Sequence, residues 1–260
     1  PGKVTARRTI PEIGTTILTL SNGVEVWLKP TDFRNDQIAF SAYAPGGVSL
    51  VPPDDYHEAS LAASLVGLAG VGGLTPVELG KLLAGKAASA GTSIGNYSQN
   101  VTGSAAPKDL ETALQLLHLR FTQPNRDPAA FALMRRQLET GLANQEQTPG
   151  FAYAERLNAI NTSNHHTARS LRLEDLDALD PERMMRIYEE RFANAANFTL
   201  FFVGAFTVDV EEWFHAENVR PAAPPEIVLP DDAEMIMAAA LRAEGPPDRM
   251  GIKPVTEREI

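Results

Sequence analysis

The sequence predicts an α+β domain in which an antiparallel sheet carries helices packed on one face. Three observations predict it. Apolar and β-branched runs cluster early, at 16–28, 37–43 and 92–105. Segments of helical period follow them, and a single late apolar run at 198–203 completes the pattern. Strands gathered in runs, not alternating regularly with helices, bury their apolar faces by layering helices on an antiparallel sheet.

The first hairpin comes from 16–20 and 24–28, because Asn22-Gly23 between them tolerates positive φ and the flanks are β-branched or aromatic. Residues 37–43 form a third strand, closed by Pro45-Gly46-Gly47. Asp54-Asp55 is placed to cap an Ala-, Leu- and Ser-rich helix over 56–70. Thr75-Pro76 opens another, with Thr75 as N-cap, Pro76 at the first helical position and Glu78 completing a near capping box. A further hairpin is expected from 92–96 and 99–105. Pro107 and Asp109 then open an amphipathic helix bearing Leu110, Leu114, Leu117 and Phe121 on one face.

Asp127-Pro128 starts a long helix that Pro149-Gly150 ends. A short helix over 151–161 and a polar loop over 162–167 follow. Asp180-Pro181 begins a helix through Phe192, and 198–203 is a buried strand ending at Gly204. After Trp213 the composition turns Pro-rich, and only 233–243 has helical character. The expected organisation is an N-terminal extension (1–15), one domain (16–215) and a linker or truncated start of a following unit (216–260).

Composition excludes several functions. No apolar run approaches the ~18 residues of a membrane span. Against 33 Asp and Glu stand 23 Lys and Arg, so a formal charge of -10 repels phosphate backbones. The absence of cysteine removes thiolate catalysis and Cys-based metal sites. The chain opens at Pro1 without Met, signal peptide or Arg-rich presequence, which reads as a processed product or, preferably, a fragment.

Several blocks resemble a repeat of the pitrilysin/insulinase (M16) family of zinc peptidases, over roughly 185 residues from Leu20 to Gly204. Leu20-Ser21-Asn22-Gly23-Val24 with Val26 is similar to that family's opening strand pair. Pro45-Gly46-Gly47-Val48-Ser49 resembles the turn before its metal-bearing helix, and 109–117 the helix after the second hairpin. Tyr188-Glu189-Glu190-Arg191-Phe192 with Asn197-Phe198-Thr199 and Phe202-Val203-Gly204 resembles the last helix and strand. Residues 28–33 and 83–86 narrow the likeness to the third repeat of bacterial PqqL-like zinc peptidases, whose zinc site belongs to the first of four repeats. Residues 249–254 add a faint echo.

The resemblance implies a missing site. The family's H-x-x-E-H motif aligns with Ala62, Ala63, Ser64, Leu65 and Val66, its two histidines on Ala62 and Val66 and its glutamate on Leu65. Zinc needs lone pairs from imidazole or carboxylate, and these side chains offer none. The long helix that would bring the third ligand holds only Glu139 and Glu146. The expected catalytic, cofactor-binding and metal residues of this chain are therefore none, with zinc expected in a partner repeat.

Other candidates favour plain structural readings. His57-Glu58 cannot place two ligands one turn apart and reads as a solvated helix start. His165 and His166 are expected to point apart within an ordered loop, His118 to be half-buried and His215 exposed. Gly67, Gly70, Gly72 and Gly73 follow a helix and lack a P-loop Lys-Ser/Thr, so they read as a helix terminus and turn. Ser49, Ser60 and Ser64 lack a nucleophile elbow. Glu174, Asp175, Asp177 and Asp180 lack EF-hand spacing and read as a helix start. Asn96, Asn100, Asn161 and Asn197 head glycosylation-type tripeptides, a pattern common by chance.

The expected function is a non-catalytic domain that helps enclose and position peptide for a zinc site in another repeat or chain. The alternative is a stand-alone inactive interaction subunit, and an independent hydrolase finds no residues to carry it. Expected partners are other M16 repeats or a partner subunit and a peptide substrate, with no nucleic acid and no membrane span. The resemblance implies a periplasmic or otherwise extracytoplasmic setting.

Overall fold

A computed structural model describes residues 3–206. The 216–260 segment, its helix expected at 233–243 and His215 lie outside the described residues.

Among the described residues seven strands form one sheet: β1 (Val4–Ile10), β2 (Thr15–Leu20), β3 (Glu25–Pro30), β4 (Ile38–Pro45), β5 (Ala88–Ile94), β6 (Ser98–Ala105) and β7 (Thr199–Gly204). Their order across the sheet is β1-β2-β3-β7-β4-β6-β5. The α+β class holds, but the sheet is mixed, not wholly antiparallel: β3 and β7 run parallel. Topology explains the exception. The 31–37 connection lays β4 opposite in direction to β3 and leaves a gap one strand wide. A strand entering that gap must run parallel to one of them, and β7 runs parallel to β3 and antiparallel to β4.

The described residues hold six α-helices: α1 (Tyr56–Ala69), α2 (Pro76–Leu82), α3 (Leu110–Thr122), α4 (Pro128–Glu146), α5 (Pro149–Asn161) and α6 (Pro181–Phe192). Local chemistry sets their ends. Thr75 and Glu78 complete a full capping box on α2. Asp127, Thr148 and Asp180 cap α4, α5 and α6, each with Pro at the start of the helix. Asp55 does not cap α1 as expected; its side chain turns to Arg183, 3.1 Å away.

Sheet periodicity separates two faces. On β4, Ile38, Phe40, Ala42 and Ala44 are buried while the alternate residues are exposed. Leu18, Val26, Leu28, Leu200, Phe202 and Val101 extend the buried face across neighbouring strands. The helix layer covers it, with Leu110, Leu114 and Leu117 of α3 and Met184, Tyr188 and Phe192 of α6 in one core. Phe40 stacks on Phe202 at 5.6 Å and lies over Gly103. A Cβ at Gly103 would come within 2.2 Å of the Phe40 ring, so only glycine admits this packing. The opposite face keeps the Trp27–Phe201 pair, centroids 5.6 Å apart, with Tyr43 and Val203 exposed.

The first fifteen residues contain β1, a strand that the sequence reading left unassigned. It pairs only with β2, at the sheet edge, and its middle residues are all exposed.

Candidate functional site

The place to look for chemistry is α1. Ala62 is 0% exposed, Leu65 2% and Val66 0%, and all three belong to the main core. Burying Leu and Val side chains contributes on the order of 1.5–3 kcal/mol each. Where the resemblance puts metal ligands, this helix therefore has packing atoms. Among the described residues no group of three or more His, Asp or Glu could hold a metal ion. Glu139 is exposed, and Glu146 accepts the Leu173 backbone N–H at 2.8 Å.

Polar chemistry gathers one turn away, at the start of α1. Glu58 is buried and faces Arg183 of α6 at 3.4 Å, and the same guanidinium reaches Asp55. A buried carboxylate needs such a partner, since its unpaired desolvation would cost several kcal/mol. His57 Nε2 lies 3.2 Å from Arg169 Nη2 and 3.9 Å from Asp175. Because guanidinium only donates, Nε2 is the acceptor and the ring proton sits on Nδ1. Burial pushes the His57 pKa below 6.5; Asp175 raises it and Arg169 lowers it further. The expectation of a solvated His57-Glu58 is corrected: Arg183 ties this helix start to α6 through an ion pair, and Arg169 ties it to 169–175 through a hydrogen bond to His57.

The remaining candidates are also structural in their contacts. His165 and His166 do not point apart; their rings lie 4.3 Å from each other. His165 Nδ1 meets Thr167 Oγ1 at 2.9 Å, and the His166 ring stands edge-on to Tyr56. Tyr56 in turn donates to the Thr167 carbonyl at 2.7 Å. His118 is half-buried on α3. Gly70, Gly72 and Gly73 take positive φ after α1, clasped by Asn125, which bonds Ala69, Gly73 and Leu74. Ser49 and Ser60 donate to nearby carbonyls, and Ser64 is exposed.

The acidic group does not converge. Asp175 pairs with Arg169, Asp177 with Arg135, Asp180 caps α6, and Glu174 is exposed. Asn100 bonds Ser98 Oγ within β6.

Two features were missed in the sequence. Tyr188 of α6 donates to the Arg120 carbonyl at 3.0 Å and so accepts from Thr92 Oγ1, also at 3.0 Å. Burial pushes its pKa up to about 12, keeping the phenol protonated in this tie between α3, α6 and β5. Its position at helical spacing from Met184, Met185 and Phe192 was the available signal. The second is the exposure of α5, which buries no residue at all.

A mixed sheet, one helix layer and a core-filled α1 make up this fold, in keeping with the M16 resemblance of the sequence. Comparisons with known proteins agree. The chain is 30% identical over 207 residues to a zinc protease PQQL-like protein of Arabidopsis thaliana, and 25% identical over 185 residues to a probable zinc protease PqqL of Haemophilus influenzae. These matches cover 78% and 71% of the chain, which spans about a fifth (19% and 20%) of those relatives.

Among solved structures, the periplasmic protease PqqL of Escherichia coli matches 82% of the chain and 23% of its own, with a TM-score of 0.71 at 20% identity. The first half of that protease matches 85% of the chain and 50% of its own, at 0.62 and 11% identity. A peptidase M16 inactive domain from Pseudomonas fluorescens matches 78% and 49%, at 0.64 and 16%. No family model matches the chain. In sequence the chain is similar to PqqL-like zinc proteases, and in fold to M16-type domains.

Proposed function

We propose that this domain is a zinc-free repeat that helps enclose and position peptide for a zinc peptidase site located in another repeat or chain. The observation that carries the reading is the buried apolar triad Ala62, Leu65 and Val66, which stands where the family resemblance puts its two histidines and its glutamate. The better match to whole PqqL than to its first half supports a place in the second half of such a polypeptide. Such a domain contributes shape, charge and sheet edges to which an extended peptide adds as a strand. Its formal charge of -10 favours basic peptides. The periplasmic protease among its structural relatives supports an extracytoplasmic setting.

The test is an immunoblot of the source organism, followed by peptidase assay of the purified band. A polypeptide several times 28.1 kDa, active on peptides and silenced by a zinc chelator, is the expected result. A band near 28.1 kDa with no zinc peptidase co-purifying would instead make the domain a stand-alone interaction subunit and sink the proposal.

A further inference from the structure

We propose that the outer face of α5 seats a second domain of this same fold within one polypeptide. The inference rests on the function just proposed and names a contact surface for it.

Thirteen residues form α5, and its two sides differ. The inner side holds Phe151, Glu155 and Ala159, all partly buried. Arg172 lies over the Phe151 ring and pairs with Glu155, which anchors the helix to the domain. On the other side Tyr153, Leu157 and Ile160 are 70%, 44% and 63% exposed. Their i, i+4, i+7 spacing makes one continuous stripe. A helix this short is marginal in water and gains its stability from tertiary packing. Here three of the four large apolar side chains, all but Phe151, point away from the domain's own core.

The surrounding surface is poor in charge. Of the exposed residues 152–154, 156–158, 160 and 161, only Arg156 is charged, in a chain that is 22% charged overall. Depletion of charge around Tyr and aliphatic side chains is the composition of an interface centre, not of a solvated face.

The occupant follows from the relatives. The chain spans about a fifth of each sequence relative, so most of a comparable polypeptide lies outside it. In PqqL the fold appears within the first half, and the whole chain gives a closer match than that half does. The fold therefore recurs along one chain. The inactive-domain structure and the PqqL first half are each about twice the matched length, room for two such domains side by side. A neighbour covalently tethered at high effective concentration needs only a modest apolar patch to dock.

The experiment uses the native polypeptide that contains this sequence. The chain has no cysteine, so Leu157→Cys and Ile160→Cys, made singly, each add one thiol within it. Maleimide labelling is read on tryptic peptides covering 157–169, in the native polypeptide and after unfolding in urea. We expect labelling at least about tenfold slower in the native state at both positions. Native rates within about threefold of the unfolded ones would overturn the inference while leaving the proposed function standing.

A second arm guards against a disturbed helix. Leu157→Asp with Ile160→Asp in the same polypeptide is expected to speed limited proteolysis at the domain junctions by about tenfold. An unchanged cleavage rate would also overturn the inference. An immunoblot showing no longer polypeptide would overturn the inference, and with no zinc peptidase co-purifying it would remove the function as well.

Discussion

Helices α1 and α5 have nearly the same length, fourteen and thirteen residues, and opposite fates. α1 buries seven residues, chiefly small ones, and packs between the sheet and α6. α5 buries none and turns Tyr, Leu and Ile outward. α1 is the more apolar of the two, and side-chain size and direction separate their roles further. Alanines let α1 approach its neighbours closely, whereas the bulkier stripe of α5 has no facing surface inside the domain. The helix that the resemblance aligns with the metal motif is core, and the helix with no fully buried residue is the proposed contact surface.

The strongest way to break this comparison is to rebuild the missing motif. Ala62→His, Leu65→Glu and Val66→His together place three polar groups where apolar atoms now fill the space. We expect unfolding or a loss of at least about 5 kcal/mol in urea titration, with no rescue by zinc. A folded variant that binds zinc would show that α1 is an open site and not a filled core.

A smaller effect sharpens the contrast. Leu65→Ala is expected to cost about 2–5 kcal/mol, whereas Leu157→Ala in the same chain should stay within about 0.5 kcal/mol. Equal costs would mean that α5 is part of this domain's core after all.

Smaller again is the tie between α1 and α6. Arg183→Met strands the buried Glu58 and should cost about 1–3 kcal/mol by urea midpoint. Glu58→Gln added to it should recover part of the loss, because the two residues act as a pair. Additive losses would place their contributions elsewhere.

The smallest expected effect is a pH dependence. The His57 pKa is depressed in the fold, so between that value and 6.5 the unfolded chain binds the extra proton. Stability should then be full above 6.5 and decline as pH falls below it towards the folded pKa. The stability difference between wild type and His57→Gln, followed by urea titration across this window, isolates the term. A difference that does not change with pH would exclude His57 as its source.

Much of the fold was legible because its signals are local. Asn22-Gly23, Thr75-Pro76 with Glu78, and Asp180-Pro181 each fix an element by chemistry within four residues. β1 escaped notice because VTARRTI exposes both faces in its middle and so shows no half-buried alternation. The parallel β3–β7 pair depends on which strand fills a gap, which no local pattern states.

At the candidate site, the apolar character of Ala62, Leu65 and Val66 could be read directly. Their burial could not. Nor could the pairing of Glu58 with Arg183, which lies 125 positions away. Likewise the contact between the His165 and His166 rings depends on loop geometry, although neighbours on an extended chain would diverge.

The position of β7 has a consequence for the order of assembly. Strands β1 to β3 and strands β4 to β6 form two separate ribbons until residues 199–204 join them. During synthesis at about 5–20 residues per second, the β4 edge waits on the order of 8–30 s for its partner. Until then two apolar ribbon edges stand open to pairing with other chains. The final strand thus acts as the keystone of the sheet, and a ribosome that stalls before it leaves a molecule with every early element made and no closed core.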